Sequence, residues 1–332
     1  MENHENWFED VPELAHYVKR PSLLAANGFY WAEAVLFAIM QAGLAPLFWL
    51  LSAVFPLNAA GYVSAMQILM YLGAMLLPVL VYLLTRHDTL ESFRLNPVSP
   101  GRTLASVAAA GSGFLAANCL TLVWMMFLEA LGGNPSAASD AFSGNLLLDM
   151  LLIAILPGVC EELLFRGLIM GAYERWGTWR AIWISALLFT GLHGTVAGIP
   201  AQLMLGLALG YVTASTGSIY AAMMLHTTYN AITLLVGYSA LEDAAAAAGT
   251  PMLEQVGMMG LAIGIVGAII FVTLFVFTLK YLDSLRIRAD EPFGNDAVIE
   301  KKKLDRANVV LLVSAAATIV WFYVQDILNM FA

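Results

Sequence analysis

The sequence predicts an all-α, polytopic transmembrane helical bundle of about nine spans. Three observations predict it. Of 332 residues, 60% are hydrophobic and 12% are charged. A soluble domain is about 45–50% apolar and about 25% charged, so this chain has too few charges to cover a water-facing surface. The apolar runs are continuous and reach the ~20 residues that a helix needs to cross a bilayer. They are not the short alternating segments of an outer-membrane barrel, and a disordered chain is poor in apolar residues. Finally, the cations fall in alternate linkers.

Residues 1–28 are polar and acidic and carry Lys19 and Arg20. A secretory signal opens with a basic region and a short apolar stretch. The first apolar run here is longer and starts later, so it reads as a retained span. The expected spans are 29–55, 62–84, 103–131, 146–174, 180–196, 199–214, 218–237, 257–281 and 308–331. Linkers are short, except for an acidic, Ala-rich stretch at 240–256 and a charged one at 283–306. The organisation is therefore a cytoplasmic N-terminal segment (1–28), N-terminal transmembrane helices (29–135), core helices (146–237), and C-terminal transmembrane helices with a basic cytoplasmic loop (257–332). No internal repeat is evident.

Cytoplasmic linkers of membrane proteins are enriched in Lys and Arg. Lys19 and Arg20 precede the first span. Arg86, Arg94 and Arg102 lie between the second and third, and Arg175 and Arg180 between the fourth and fifth. Arg286, Arg288, Lys301, Lys302, Lys303 and Arg306 lie between the eighth and ninth. The alternate linkers are neutral (56–62) or acidic, with Asp140, Glu242, Asp243 and Glu254. An integral protein of the bacterial cytoplasmic membrane is expected, with its N-terminus in the cytoplasm and its C-terminus outside. The net charge of −9 provides no electrostatic footprint for nucleic acid. The two cysteines, Cys119 and Cys160, sit inside apolar runs and make no disulfide framework.

Ionisable groups inside a bilayer cost about 2.5–3.5 kcal/mol each on insertion scales, so they mark a site or a paired strut. His4, His16 and His87 lie outside the spans, whereas His193, His226, Glu161, Glu162 and Arg166 lie inside. Glu162 and Arg166 are four residues apart on one helical face and can pair, and a structural ion pair explains them. Glu161 points about 100° away and lacks that partner. Pro157, four residues before it, removes a backbone hydrogen bond and favours a kink, and Gly158 adds room. Glu161 lies 16 residues before Gly177 and His193 lies 16 after it. A hairpin turning at Gly177 brings both to one level, about 24 Å from the turn. His226 and Asn230 share a face about 14 and 20 Å from the turn at Gly217. The expected pocket opens toward the cytoplasmic half, with Phe189 as a wall. Gly206 and Gly210 form a small face for helix packing.

Blander roles remain open for single residues. A buried His or Asn often bonds a neighbouring helix. Cys160 beside the acid pair reads as a nucleophile or, more simply, as a small hydrophobe. Met252 to Met259 reads as packing or interface.

Glu161-Glu162-x-x-x-Arg166, then Phe189-x-x-x-His193, then His226-x-x-x-Asn230 resembles the three motifs of the CPBP family. That family comprises type II CAAX prenyl endopeptidases and bacterial bacteriocin-processing or self-immunity membrane proteases. The resemblance covers mainly 146–237, and implies a CPBP-type helical core and an intramembrane endopeptidase. It implies that Glu161 and His193 activate water and that His226 and Asn230 stabilise the oxyanion. Glu162, Arg166 and Phe189 would support them. The partners implied are a peptide or protein substrate and the lipid bilayer.

The chemistry is coherent. Hydrolysis needs a base for water, which contributes about 10²–10⁴-fold, and donors for the oxyanion, each worth about 10²–10³-fold. No HExxH motif is present. No cofactor is the preferred reading; zinc held by Glu161, His193 and His226, with one position open for water, is the alternative. Two other functions compete: a non-catalytic immunity or scaffold protein, and a transporter or proton relay. The second expects paired inverted repeats, which are not evident.

Overall fold

The computed structural model describes residues 20–52, 59–86, 91–134, 143–239, 252–285 and 304–331. The segment 1–19 with His4 and His16, His87, and the linkers 240–251 and 286–303 lie outside the described residues. Among the described residues every regular element is helical. With backbone groups bonded within each helix, the apolar runs can sit in hydrocarbon without orphaned donors.

Nine helical rods follow one another among the described residues. They are α1 (Leu23–Ser52), α2 (59–85), α3 (Pro100–Ala130), α4 (146–173), α5 (Thr178–His193), α6 (Ile199–Thr216), α7 (Ile219–Ser239), α8 (Met252–Ser284) and α9 (Arg306–Met330). Among the described residues six segments are long and apolar enough to cross a membrane: Val63–Thr85, Pro100–Ala130, Ile199–Thr216, Ile219–Ser239, Glu254–Ser284 and Arg306–Met330. The expected rods are therefore present, but fewer qualify as spans by length and hydropathy. The shortfall has a physical cause in two core rods. Helix α4 is interrupted by non-α turns and carries Glu161, Glu162 and Arg166, while α5 has only 16 residues.

Local sequence sets the ends. Ser99 accepts from Arg102 N at 3.4 Å and Pro100 opens α3. Asn145 caps α4 by accepting from the backbone N–H groups of Leu147 and Leu148. Helix α5 stops directly after His193 because Gly194 adopts φ 65°, a left-handed conformation natural to glycine. Helix α4 is not straight. Met150–Ile155 is π-helical, and Pro157 follows in the first turn of Leu156–Glu162. A wider turn before a proline fits its missing N–H, and this realises the expected distortion near the acid pair.

Helix α3 packs against α8, α7 and α6; α5 lies on α6; and α1 lies on α9. The small face of α6 does what its spacing suggests. A Cβ at Gly206 would come within 3.1 Å of Ala186 Cα, and one at Gly210 within 3.1 Å of Ile182 Cγ2, both on α5. Gly158 lets α4 approach α7 so closely that a Cβ there would overlap the Thr227 hydroxyl.

The two ends of the bundle differ in chemistry. At one end Arg94 pairs with Glu174 at 2.6 Å. There Arg102 donates to the Thr216 and Leu285 carbonyls at 3.1 Å each, and Arg175 donates to Pro21 O at 2.6 Å. At the other end Asp326 accepts from Val196 N at 2.7 Å, Trp124 donates to Val196 O at 2.8 Å, and Tyr238 donates to Asp149.

Candidate active site

One partly open cavity of about 410 Å³ takes its lining from six helices. Glu161, His193, His226 and Asn230 all line it, and so does Phe189. Glu162, Arg166 and Cys160 are fully buried and stand outside the lining. The polar residues singled out in α4, α5 and α7 are thus brought to one hollow, and Cys160 is not.

Glu161 comes from the Leu156–Glu162 turn of α4 and is 8% exposed. Tyr71 of α2 donates its hydroxyl to Glu161 Oε1 across a long 3.4 Å. The other oxygen, Oε2, is buried with no hydrogen-bond partner among the described residues. An unpaired buried carboxylate oxygen beside a cavity is costly unless something in the cavity completes it.

His193 ends α5, and its Nδ1 lies 2.8 Å from the Phe189 carbonyl. A carbonyl only accepts, so Nδ1 carries the proton. Nε2 of the neutral ring is left as an acceptor. His226 is fixed differently. Its Nδ1 lies 2.8 Å from Glu162 Oε1, which also accepts from Arg166 Nη1 at 3.0 Å. Arg166 donates a second bond to Gly206 O at 3.1 Å, using the close approach of α6. Phe189 is wedged among these groups: its ring centroid is 4.7 Å from the Arg166 guanidinium, 4.6 Å from the His193 ring and 5.8 Å from the His226 ring. Asn230 is half-buried and makes no side-chain hydrogen bond with a described residue.

Two features depart from the reading of the sequence. The expected Glu162–Arg166 pair is present, but its carboxylate also holds His226. The cavity also lies away from the basic end, toward which it was expected to open. Its wall includes Thr195, Ala197 and Gly198 of the α5–α6 turn, and Gln202 in the first turn of α6. These belong to the half of the bundle remote from Arg94, Arg102 and Arg175. The depth estimate already contained the reason: about 24 Å from the Gly177 turn lies beyond the midplane of a hydrocarbon core ~30 Å thick.

Sequence reasoning passed over Tyr71 and Gln67, which line the cavity from α2. Their four-residue spacing in an otherwise apolar run was the available signal. It also passed over Glu33 of α1, a buried carboxylate that is 4% exposed. A charged residue within the first apolar run was the sign.

Among the described residues, no three of His, Cys, Asp and Glu are grouped to hold a metal ion. The expected set Glu161, His193 and His226 shares the cavity without forming such a group.

No curated protein matches the chain, and no solved structure does. Residues 143–232 match the Rce1-like family model, described as type II CAAX prenyl endopeptidase Rce1-like. That stretch contains every motif residue and most of the cavity wall. The stretch that supplies most of the cavity wall is therefore similar to the Rce1-like, type II CAAX prenyl endopeptidase family, in line with the resemblance in its motifs.

Proposed function

We propose that the protein is an intramembrane endopeptidase that hydrolyses a peptide bond with a water activated by Glu161 and His193. The observation that carries this reading is the meeting of Glu161, His193, His226 and Asn230 at one cavity. Glu161 has an oxygen without a partner, and His193 presents Nε2 as an acceptor. Between them they can take a proton from water while its oxygen attacks the substrate carbonyl. The proton then passes to the departing amine as the C–N bond breaks, which restores both groups.

The oxyanion that forms needs donors. Asn230 supplies an amide N–H. His226 has Nδ1 committed to Glu162, so its Nε2 donates only when the ring is doubly protonated. Glu162 would then provide the counter-charge, its other partner being Arg166. This makes Glu162 and Arg166 positioning residues. Phe189 separates the guanidinium from the cavity.

We favour a reaction without metal. Support comes from the sequence, which lacks the HExxH arrangement of two ligands and a base on one helix. Stoichiometric zinc in purified protein, with activity lost on chelation, would overturn this version.

The experiment that tests the function is a cleavage screen with membrane-tethered peptides. Glu161→Gln and His193→Ala are each expected to abolish cleavage while the protein remains folded by size-exclusion profile. Retained cleavage in either variant removes the assignment. The non-catalytic reading draws support from the fully buried Glu162–Arg166–His226 network, which has the character of a strut. It expects a cellular phenotype that survives both substitutions.

A further inference from the structure

We infer that the cavity is served from the non-cytoplasmic face of the membrane, so that its substrate is a peptide segment presented outside the cytoplasm. The cavity's sidedness stands on geometry and charge alone; the statement about substrate rests on the endopeptidase reading.

The first observation is where each helix contributes. Helix α2 gives Gln67 and Tyr71 from its first half, and α3 gives Thr121 and Met125 from its last third. Helix α4 contributes Leu152, Ile153 and Pro157 from its first half and Glu161 just past its midpoint, and nothing further along. Helix α5 gives its C-terminal end at His193, and α6 gives its first turns. Helix α7 contributes His226, Tyr229 and Asn230 from its middle third and Thr233 at the start of its last third. These rods alternate in direction, yet every contribution falls toward the same end of the bundle. That end holds the 194–198 turn, the start of α4 and the end of α3.

The second observation is charge. The chain has 15 Lys and Arg. Among the described residues Arg166 sits at mid-depth, and the other cations lie toward the opposite extremity: Arg20 before α1, Arg86, Arg94 and Arg102 between α2 and the first turn of α3, Arg175 and Arg180 at the α4–α5 turn, Lys280 near the end of α8 and Arg306 at the start of α9. In the sequence Lys19, Arg286, Arg288, Lys301, Lys302 and Lys303 fall in the segments that adjoin these same helix ends. The structure ties several of these together through Arg94–Glu174, Arg102 with Thr216 and Leu285, and Arg175 with Pro21. The linkers 53–58, 131–145, 194–198 and 240–251 contain no Lys or Arg, and Asp140, Glu242 and Asp243 fall among them. Positive linkers face the cytoplasm. The basic extremity is then cytoplasmic, and the cavity lies in the outer half.

The third observation is access. Thr195 and Gly198 are half-buried and Thr233 is exposed, so part of the wall at this end reaches the surface of the bundle. A peptide arriving from the cytoplasm would have to pass the level of the Glu162–Arg166 pair, where α4 to α7 close on one another with fully buried side chains.

The test uses the full chain in bacterial cells with Cys119→Ser and Cys160→Ala. Thr195→Cys and Thr233→Cys are introduced singly, with Ser284→Cys at the basic end as the opposite marker. Folding is checked by size exclusion, and labelling after denaturation confirms each thiol. A membrane-impermeant maleimide is expected to label Thr195→Cys and Thr233→Cys in spheroplasts, and Ser284→Cys only in inverted vesicles. The reverse pattern, or cavity thiols that react from neither side, overturns the proposal. In parallel, a single-span reporter carries a peptide library either outside or inside. Cleavage of the outer library alone is expected, and cleavage confined to the inner one refutes the substrate statement. External labelling without cleavage of either library refutes the endopeptidase reading and leaves the sidedness standing.

Discussion

Glu162 and His226, 64 residues apart in the chain, meet at 2.8 Å between Oε1 and Nδ1. The same oxygen accepts from Arg166 at 3.0 Å, so a single atom fixes a cation and an imidazole at once. Arg166 continues the chain of contacts to the Gly206 carbonyl on α6 and to the face of Phe189 on α5. Four helices are thereby keyed together directly behind the cavity. The face of α7 that His226 shares with Asn230 turns it toward the hollow, and this network fixes its ring there.

Glu162→Gln tests that dependence. The amide keeps an oxygen for His226 but removes the charge that a doubly protonated ring needs. The expected outcome is a fall in kcat on the order of 10²-fold, the value typical of one oxyanion donor, with KM little changed. Steady-state cleavage of a tethered peptide measures it. A kcat within about twofold of the parent would remove Glu162 from the positioning role.

Arg166→Met is expected to act on stability as well as rate. It leaves the fully buried Glu162 with one partner fewer, and breaking a buried pair from one side costs about 3–5 kcal/mol. The double variant Glu162→Gln/Arg166→Met removes both charges and should be less destabilised than the two single losses added together. Thermal unfolding in detergent compares them. Simple additivity would mean that the pair is not coupled.

Periodicity and polarity made much of this legible. Apolar runs marked the rods, and alternate basic linkers gave the parity expected of them. Spacing from Gly177 and Gly217 placed Glu161, His193, His226 and Asn230 at compatible depths. Helix spacing also found the Glu162–Arg166 pair and the Gly206–Gly210 face, because both are local properties of one helix. It could not find Glu162–His226, which depends on how α4 and α7 are rotated about their axes. Nor could it find Tyr71, since an amphipathic phenol in a span is ordinary and its hydrogen bond is decided by the lean of α2. The π-helical turns of α4 lay beyond the reach of straight-helix arithmetic, although Pro157 marked where they occur.

Gly158→Ala probes the α4–α7 contact that brings those helices together. The added Cβ would overlap Thr227 Oγ1 and would stand 3.1 Å from the Thr227 backbone N. Overpacking of this kind costs about 1–3 kcal/mol and moves helices apart. Because Glu161 follows on one rod and His226 and Asn230 lie on the other, cleavage should fall along with stability. Thr227→Ala in the same chain removes the hydroxyl but not the backbone, so it should restore both properties in part. Absence of any restoration would place the strain elsewhere.

Tyr71→Phe distinguishes a group that tunes Glu161 from one that reacts with it. Among the described residues, the Tyr71 hydroxyl is the hydrogen-bond donor to the Glu161 carboxylate, and at 3.4 Å the bond is long. A neutral hydrogen bond contributes about 0.5–1.5 kcal/mol net, equivalent to at most about tenfold in rate. Water admitted by the cavity can replace the lost donor at Oε1, which reduces the penalty further. The expected variant is therefore folded and active, with kcat reduced by less than about tenfold, in contrast to the complete loss expected for Glu161→Gln. A loss beyond about 10²-fold would mean that the phenol takes part in proton transfer or donates to the oxyanion, and the reacting set would then include α2.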